Sequence, residues 1–386
     1  MLNRQFTNRF LNTLEHTRFG TIAVTTPDGK RHDFQGSEAG AEAELILHDW
    51  RMAGAMIMHG DIGLAEAYRD GWWSSPDPAK LFLFGLQNQQ ALDGYIHGSV
   101  FGRLASRVAY FFNRNTVRGS KKNIHAHYDL GNAFYKLWLD PSMTYSSALF
   151  SNDNHDLQSA QTKKYDRMIE RLDRSGKLLE IGCGWGGFAE RAIQKGDYGI
   201  KGLTISPAQH EYATQRLGNS ANIALEDYRH QNGLYDHIVS IEMFEAVGEK
   251  FWPVYFSKIK SLLASGGKAM IQTITIADDY FERYRAGGDA IRTFIFPGGM
   301  LPSPARFHEE ISKAGLRVAD QFAFGQDYAK TLMHWLENFD AKISEVKAMG
   351  FDEKFIRMWR FYLTCCIAAF QYGRTDVMQW ELQHAS

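Results

Sequence analysis

The sequence predicts an α/β protein: a doubly wound, mostly parallel sheet preceded by a smaller α+β domain. Three observations predict it. From about residue 160, strand patterns ("GKLLEIGCGWGG", "YGIKGLTIS", "LYDHIVSIEMF", "GGKAMIQTITI") alternate with helical ones, as βαβ units do. A glycine-rich turn separates the first of these strands from its helix. The first hundred residues instead mix short strands with glycine-punctuated helices. At 386 residues, 44% of them hydrophobic, the chain can build more than one core.

The elements follow in order. "TIAVTTPDGKRHDF" reads as a hairpin around Pro27-Asp28-Gly29. "HDWRMAGAMIMHGDIGLAEAYRDGWW" is helical with glycine breaks, and "SSPDPAK" supplies a turn and a cap for a further helix. These belong to a first domain, residues 1–100. Residues 101–127 form a linker. Its stretch from Phe101 to Lys122 carries Arg103, Arg107, Arg114, Arg118, Lys121 and Lys122 and no acid, with Phe101, Leu104, Val108, Phe111 and Phe112 at helical spacing. Two readings stay open: a basic amphipathic helix on an anionic bilayer, or a linker helix packed on its own domain. Residues 128–386 hold the sheet and, from about 327, a helical and aromatic ending ("YAKTLMHWLENFDAKI", "FIRMWRFYLTCCIAAFQYG").

Composition excludes several classes. A formal net charge of −1 argues against general nucleic-acid binding. Cys183, Cys365 and Cys366 give no disulfide framework, which points to a reducing cytoplasm. The N-terminus lacks a signal-peptide core, and no apolar run approaches the roughly 20 residues that span a bilayer. His125 and His127 have no convincing metal-ligand partners, so no metal is assigned. The 13% aromatic content fills core and also suits a large apolar cavity.

Gly182, Gly184, Gly186 and Gly187 lie between a strand and a helix, where backbone amides and the helix start can approach a polar ligand. No Gly-Lys-Ser/Thr follows, so this is not a P-loop. A dinucleotide site would want a carboxylate at the end of the next strand, which reads Gly202-Leu203-Thr204-Ile205-Ser206. Asp227 and Tyr228 of "LEDYR" are the next polar residues along the expected sheet edge, suited to an adenine. A nicotinamide oxidoreductase is therefore the weakest reading. Cys183 reads as a small filler. "IEMFEAVG" then places Glu242 and Glu245 at the end of a buried strand, where charge is costly without a task.

"HAHYDLGNAFYKLWLD", "MTYSSALF", "LLEIGCGWGGFAERA", "GLTISPAQ", "EDYR", "IVSIEMFEAVG", "IFPGGMLPS" and "FGQDYAKTLMHW" occur in that order between about residues 120 and 375. Together they resemble the cyclopropane-fatty-acyl-phospholipid synthases, relatives of the mycolic-acid cyclopropane synthases. The resemblance implies a class I, Rossmann-like methyltransferase fold with S-adenosylmethionine as cofactor. It also implies an unsaturated phospholipid substrate at the inner membrane surface, a membrane-associating N-terminal domain and a homodimer. Carried over by position, Tyr128, Tyr145 and Ser146 close over the methionine end of the cofactor. Gly182, Gly184 and Gly186 line its amino-acid and ribose parts, with Thr204 and Gln209 at the ribose edge. Asp227 and Tyr228 face adenine, and Ile241 packs nearby.

The implied reaction begins with an alkene attacking the sulfonium methyl and leaves a carbocation on the acyl chain. A base then takes a proton from the added methyl and the ring closes. Such a site excludes water and benefits from aromatic faces; Tyr145, Phe150, Phe244, Phe294, Phe296 and Trp335 are the candidates. In the resembled enzymes the base is a bound bicarbonate. Of its pocket this chain keeps Glu245, Tyr328 and Ile274, but has Ser147 for an expected cysteine, Gln272 for a histidine and Ala246 for a second histidine. Glutamine cannot titrate near neutrality, so bicarbonate is in doubt and Glu245 itself is a candidate base. Glu242 is left between a cofactor-facing position and a helix cap. Ring closure is the expected outcome, with a methyl-branched or methylene product as the alternative. A small-molecule amine N-methyltransferase and a non-catalytic lipid-binding homologue are the rival readings.

Overall fold

The structure, a computed structural model, describes residues 2–96, 130–151 and 156–385. Tyr128, His125, His127 and the basic stretch 101–127 lie outside the described residues. The chain divides into two compact units.

The first unit holds residues 2–96 with Arg283–Pro297 and Asp340–Arg374. Its sheet runs β2-β1-β3-β4, with β1 Phe19–Thr25, β2 Arg31–Gln35, β3 Glu38–Leu47 and β4 Trp73–Ser74. β1 and β2 form the predicted hairpin, closed at Gly29 with φ +82° and by a 2.6 Å bond from the Thr26 hydroxyl to Asp28. Gly60 divides the predicted helical stretch into Arg51–His59 and Asp61–Arg69, and Asp77 caps Pro78–Gln87 by accepting from the Lys80 amide. The helix Glu353–Tyr372 joins this unit, its Phe361 ring 5.0 Å from Phe82 and 6.1 Å from Tyr68. The expected boundary, with everything after residue 127 in one domain, therefore does not describe how the chain packs. An aromatic amphipathic helix carries no mark of which core it covers.

The second unit is built on a seven-stranded sheet of order β10-β11-β9-β8-β5-β6-β7. The predicted strands are β5 Ser175–Ile181, β6 Asp197–Thr204, β8 Tyr235–Ile241 and β9 Leu263–Ile276. β7 Asn222–Leu225 extends this parallel set, while β10 Leu316–Ala323 and β11 Thr375–His384 add antiparallel neighbours. β11 corrects the expectation of a wholly helical ending. Its six central residues are all buried although they include Gln379 and Glu381, so it shows no alternation of apolar and polar residues. The helices Leu157–Arg171 and Gly187–Lys195 bury Met168, Phe188 and Ala192 against Leu178, Val239 and Met270 of the sheet. Parallel strands carry their following loops to one edge, the usual ligand edge of such sheets. β5 and β8 are neighbours, so the glycine turn and the acidic turn lie side by side. Among the described residues no helix is long and apolar enough to cross a membrane.

Candidate active site

The turn after β5 depends on glycine. Gly182, Gly184 and Gly186 have φ of +81°, +51° and +84°, which L side chains rarely adopt. A Cβ on Gly182 would lie 2.8 Å from Cγ of Met243, whereas one on Gly184 would meet nothing within 4 Å. The loop is thus packed on one side and bare on the other. Below it, the buried Glu180 carboxyl has one oxygen without a hydrogen-bond partner. Burial pushes this carboxyl up to about 8, with Arg216 and Lys164 opposing. A bare backbone turn over an unpartnered buried polar atom fits a ligand rich in polar groups, as S-adenosylmethionine is.

The neighbouring strand ends hold the other expected cofactor residues. Thr204 donates to the Gln209 side chain at 2.9 Å, and both are buried. Asp227 caps the short turn Tyr228–His230 and receives Arg229 at 2.8 and 2.6 Å. Its carboxylate therefore already holds a guanidinium. Tyr228 is buried with its ring 5.5 Å from that of Tyr255, and Ile241 packs on the sheet core.

The turn after β8 brings the expected base-pocket residues together, but around an acid that had no assigned role. Glu242 adopts φ +48°, one of only two non-glycine positive values among the described residues, the other being Met143. Such a conformation costs about 1–2 kcal/mol. It turns the Glu242 carboxylate inward among strong donors. Oε1 accepts from the Ser147 amide at 2.9 Å and from Gln272 Nε2 at 2.7 Å. Oε2 accepts from the Tyr328 hydroxyl at 2.6 Å. Ser147 thus contributes its backbone, its own hydroxyl donating to the Ala148 carbonyl. Glu245, three residues on, accepts from the Ile274 amide at 2.5 Å through Oε1. Its Oε2 is sealed in without a hydrogen-bond partner, the Thr273 hydroxyl being directed to the Ile274 carbonyl.

The two carboxyls sit in unequal surroundings. Burial raises both, and for Glu242 this is opposed by Tyr328, Lys164, the Ser147 amide and Gln272. Glu245 has fewer donors, and burial together with the Glu242 charge pushes it up to about 8. The donors around Glu242 favour its charged form, whereas Glu245, with fewer donors, is held toward its protonated form.

Three supporting residues escaped the sequence reading. Lys164 is fully buried and donates to Ser146 Oγ at 2.5 Å. Burial draws its ammonium down to about 7 while Glu242, Asp140 and Glu180 hold it up. Its signal was available: four residues from both Ala160 and Met168, it sits on the apolar face of its helix. Gln379 Nε2 donates to Gln272 Oε1 at 3.0 Å, which fixes the Gln272 amide with its NH₂ toward Glu242. Gln379 in turn receives Arg167 at 2.7 Å.

Aromatic rings connect the two turns. From Trp185 of the glycine loop they run through Tyr135 (5.0 Å), Tyr145 (5.5 Å), Trp335 (5.2 Å) and Tyr328 (6.0 Å). Of the other expected ring donors, Phe150 stacks on His334, and Phe244 is wholly buried between Trp252 and Phe307 as ordinary core. Phe294 and Phe296 fall in the first unit, Phe296 against Tyr362.

Residues 115–380 match the family of mycolic acid cyclopropane synthetases. The chain belongs to this family. A tuberculostearic acid methyltransferase of Mycobacterium tuberculosis is 35% identical over 350 residues, covering 84% of this chain and 79% of that one. The cyclopropane-fatty-acyl-phospholipid synthase of Escherichia coli K12 is 34% identical over 340 residues, covering 85% of this chain and 84% of that one. A crystal structure of a mycolic acid cyclopropane synthase complexed with SAH and CTAB superposes with a TM-score of 0.63, at 34% identity over 68% of this chain and 98% of that one. Family and sheet topology make this synthetase-family chain an S-adenosylmethionine-dependent methyltransferase of the cyclopropane-synthase type.

Proposed function

We propose that the chain adds a one-carbon unit to the double bond of an unsaturated acyl chain in membrane phospholipid and closes it to a cyclopropane. S-adenosylmethionine, when bound, supplies an electrophilic methyl group. The observation that carries the reading is the aromatic path from Trp185 to Tyr328, which joins the glycine turn to the paired carboxyls. In this reading the bare face at Gly184 and its neighbours Gly182 and Gly186 hold the amino-acid and ribose parts of the cofactor. Tyr128, Tyr145 and Ser146 lie at its methionine end, Thr204 and Gln209 at its ribose, and Asp227, Tyr228 and Ile241 around its adenine. The rings of Tyr145, Trp335 and Tyr328 exclude water and turn electron-rich faces to an electron-poor acyl chain. The acidic turn after β8 takes the proton that ring closure releases.

A phospholipid substrate is supported by the Escherichia coli relative, whose name states it and whose match reaches well beyond residues 115–380 into the first unit. The proposal accordingly places residues 1–100 and the basic stretch 101–127 on the inner membrane surface, in a homodimer. A methyl branch without a ring is the second reading, favoured by the name of the tuberculostearic acid methyltransferase.

The test is incubation with unsaturated phospholipid vesicles and a methyl donor carrying three deuteriums, followed by lipid mass spectrometry. Ring closure leaves two deuteriums in a product with no remaining double bond. Three retained deuteriums would exclude it, and two in a product that still holds a double bond would show methylene formation. No labelled lipid from active protein would remove the acyl-chain reading altogether.

A further inference from the structure

We propose that the Glu242 carboxylate is this chain's own proton acceptor, seated where the resemblance expects a bicarbonate ion, so that turnover requires no bicarbonate. This rests on the acyl-chain reading above. The groups expected to hold that ion are already occupied. Of the groups that should hold it, Gln272, Tyr328 and Ser147, the last through its amide, are engaged by Glu242 at 2.7, 2.6 and 2.9 Å, and the Ile274 amide is engaged by Glu245 at 2.5 Å. A carboxylate and a bicarbonate present the same planar pair of anionic oxygens, so the same donors hold one or the other.

Several features mark the arrangement as built for a charged Glu242. The backbone accepts a left-handed conformation at a glutamate to aim the side chain inward. Gln379 holds Gln272 in the one amide orientation that donates to the carboxylate. Lys164, fully buried, places an amine within electrostatic reach, whose charged form and the Glu242 carboxylate favour one another. Met243, the neighbour of Glu242, touches the glycine turn, which puts the acid beside the expected cofactor.

The proton step balances without a further reagent. Once the acyl chain has gained its methyl it is a cation with one proton in excess. A Glu242 oxygen takes a proton from the added methyl, and the released C–H electron pair forms the carbon–carbon bond that closes the ring. Glu242 becomes a neutral carboxylic acid and returns the proton to solvent between turnovers. Glu245, already protonated, does not compete for it.

The test uses the full chain with unsaturated phospholipid vesicles, in buffer freed of carbon dioxide and again with added bicarbonate. The wild-type rate should change less than twofold between the two. Glu242→Gln should lower turnover by about 10²-fold or more, while calorimetric affinity for S-adenosylmethionine stays within about twofold. Glu242→Gly suits the left-handed backbone and vacates the pocket, so added bicarbonate should restore turnover at least tenfold over the unsupplemented variant. A second readout needs no turnover: carbon-13 bicarbonate should show NMR line broadening with Glu242→Gly and none with the wild type. Bicarbonate binding to the wild type, a tenfold loss of its rate on bicarbonate removal, or a Glu242→Gln rate above a third of wild type would each overturn the assignment. Absence of labelled lipid from the wild type in every buffer would instead strike the acyl-chain reading, and the NMR titration would still decide who occupies the pocket.

Discussion

The end of β5 and the end of β8 lie side by side and are built in opposite ways. After β5 the chain removes side chains: three glycines with positive φ leave bare backbone facing outward at Gly184. After β8 it adds one, forcing a glutamate into the same left-handed region and surrounding its carboxylate with three donors. The first turn can hold a ligand only by backbone and shape. The second supplies its own charge. The difference teaches that a left-handed residue marks two kinds of site, and that a side chain at such a position is the more informative because it resists its conformational preference.

The contrast within the acidic turn gives the largest expected effect. Glu245 has a folded value near 8 against an ordinary 4.5, so folding takes up a proton there between these limits. The sign follows: its contribution to stability is fully present below about 4.5 and is lost as pH rises toward 8. Glu245→Gln imitates the protonated acid and should abolish that loss. Unfolding free energies measured at pH 5 and pH 8 should therefore show the variant gaining on the wild type with rising pH, by roughly a few kcal/mol. Its turnover should fall by no more than about tenfold, against the hundredfold or more for Glu242→Gln. A variant that loses ground with rising pH, or one as inactive as Glu242→Gln, would mean that the two acids share the charge.

The glycine turn offers the next effect. Gly182→Val forces a branched side chain into a left-handed position and against Met243, 2.8 Å from the new Cβ. Overpacking and backbone strain together should cost about 3 kcal/mol. Gly184→Ala meets nothing, so only the strain of roughly 1 kcal/mol remains. Yet its methyl projects into the proposed ligand space, and affinity for S-adenosylmethionine should drop more than stability does. Thermal unfolding and calorimetry on the same samples separate the two; equal costs at both positions would deny that the loop has a packed and an open side.

Much of this was legible in the sequence, and the limits have physical causes. β5, β6, β8 and β9 were readable as apolar runs between turn signals, whereas the parallel β7, four residues with neither end buried, was not. The glycine turn was readable because four glycines in six positions have few other uses. β11 was not, since its buried Gln379 and Glu381 disguise a core strand as a polar segment. The packing of Glu353–Tyr372 with the first unit was not, since its aromatic stripe would suit either core. Glu242 was seen but not placed. Its identity is written in the sequence, whereas the reversal of φ that swings its carboxylate inward is a property of the turn.

The smallest expected effect tests the outermost layer of the acidic turn. Gln379 touches neither carboxyl; it donates to Gln272 Oε1 and receives Arg167. As a positioning residue it should act only by fixing which end of the Gln272 amide faces Glu242. Gln379→Met removes that preference, and turnover should fall by roughly fivefold, about 1 kcal/mol, with KM unchanged. Gln379→Glu should do worse despite being the closer analogue. A carboxylate there still accepts from Arg167 but has no proton for Gln272 Oε1. Gln272 would then turn its NH₂ toward residue 379 and its oxygen toward Glu242, replacing a donor beside the base with a repulsive lone pair. The rising limb of the pH–rate profile should move to higher pH in Gln379→Glu, because losing that donor makes the Glu242 carboxylate harder to form. If the methionine variant were the more damaged of the two, Gln379 would be supporting only the packing of β11, and the orientation of Gln272 would have another source.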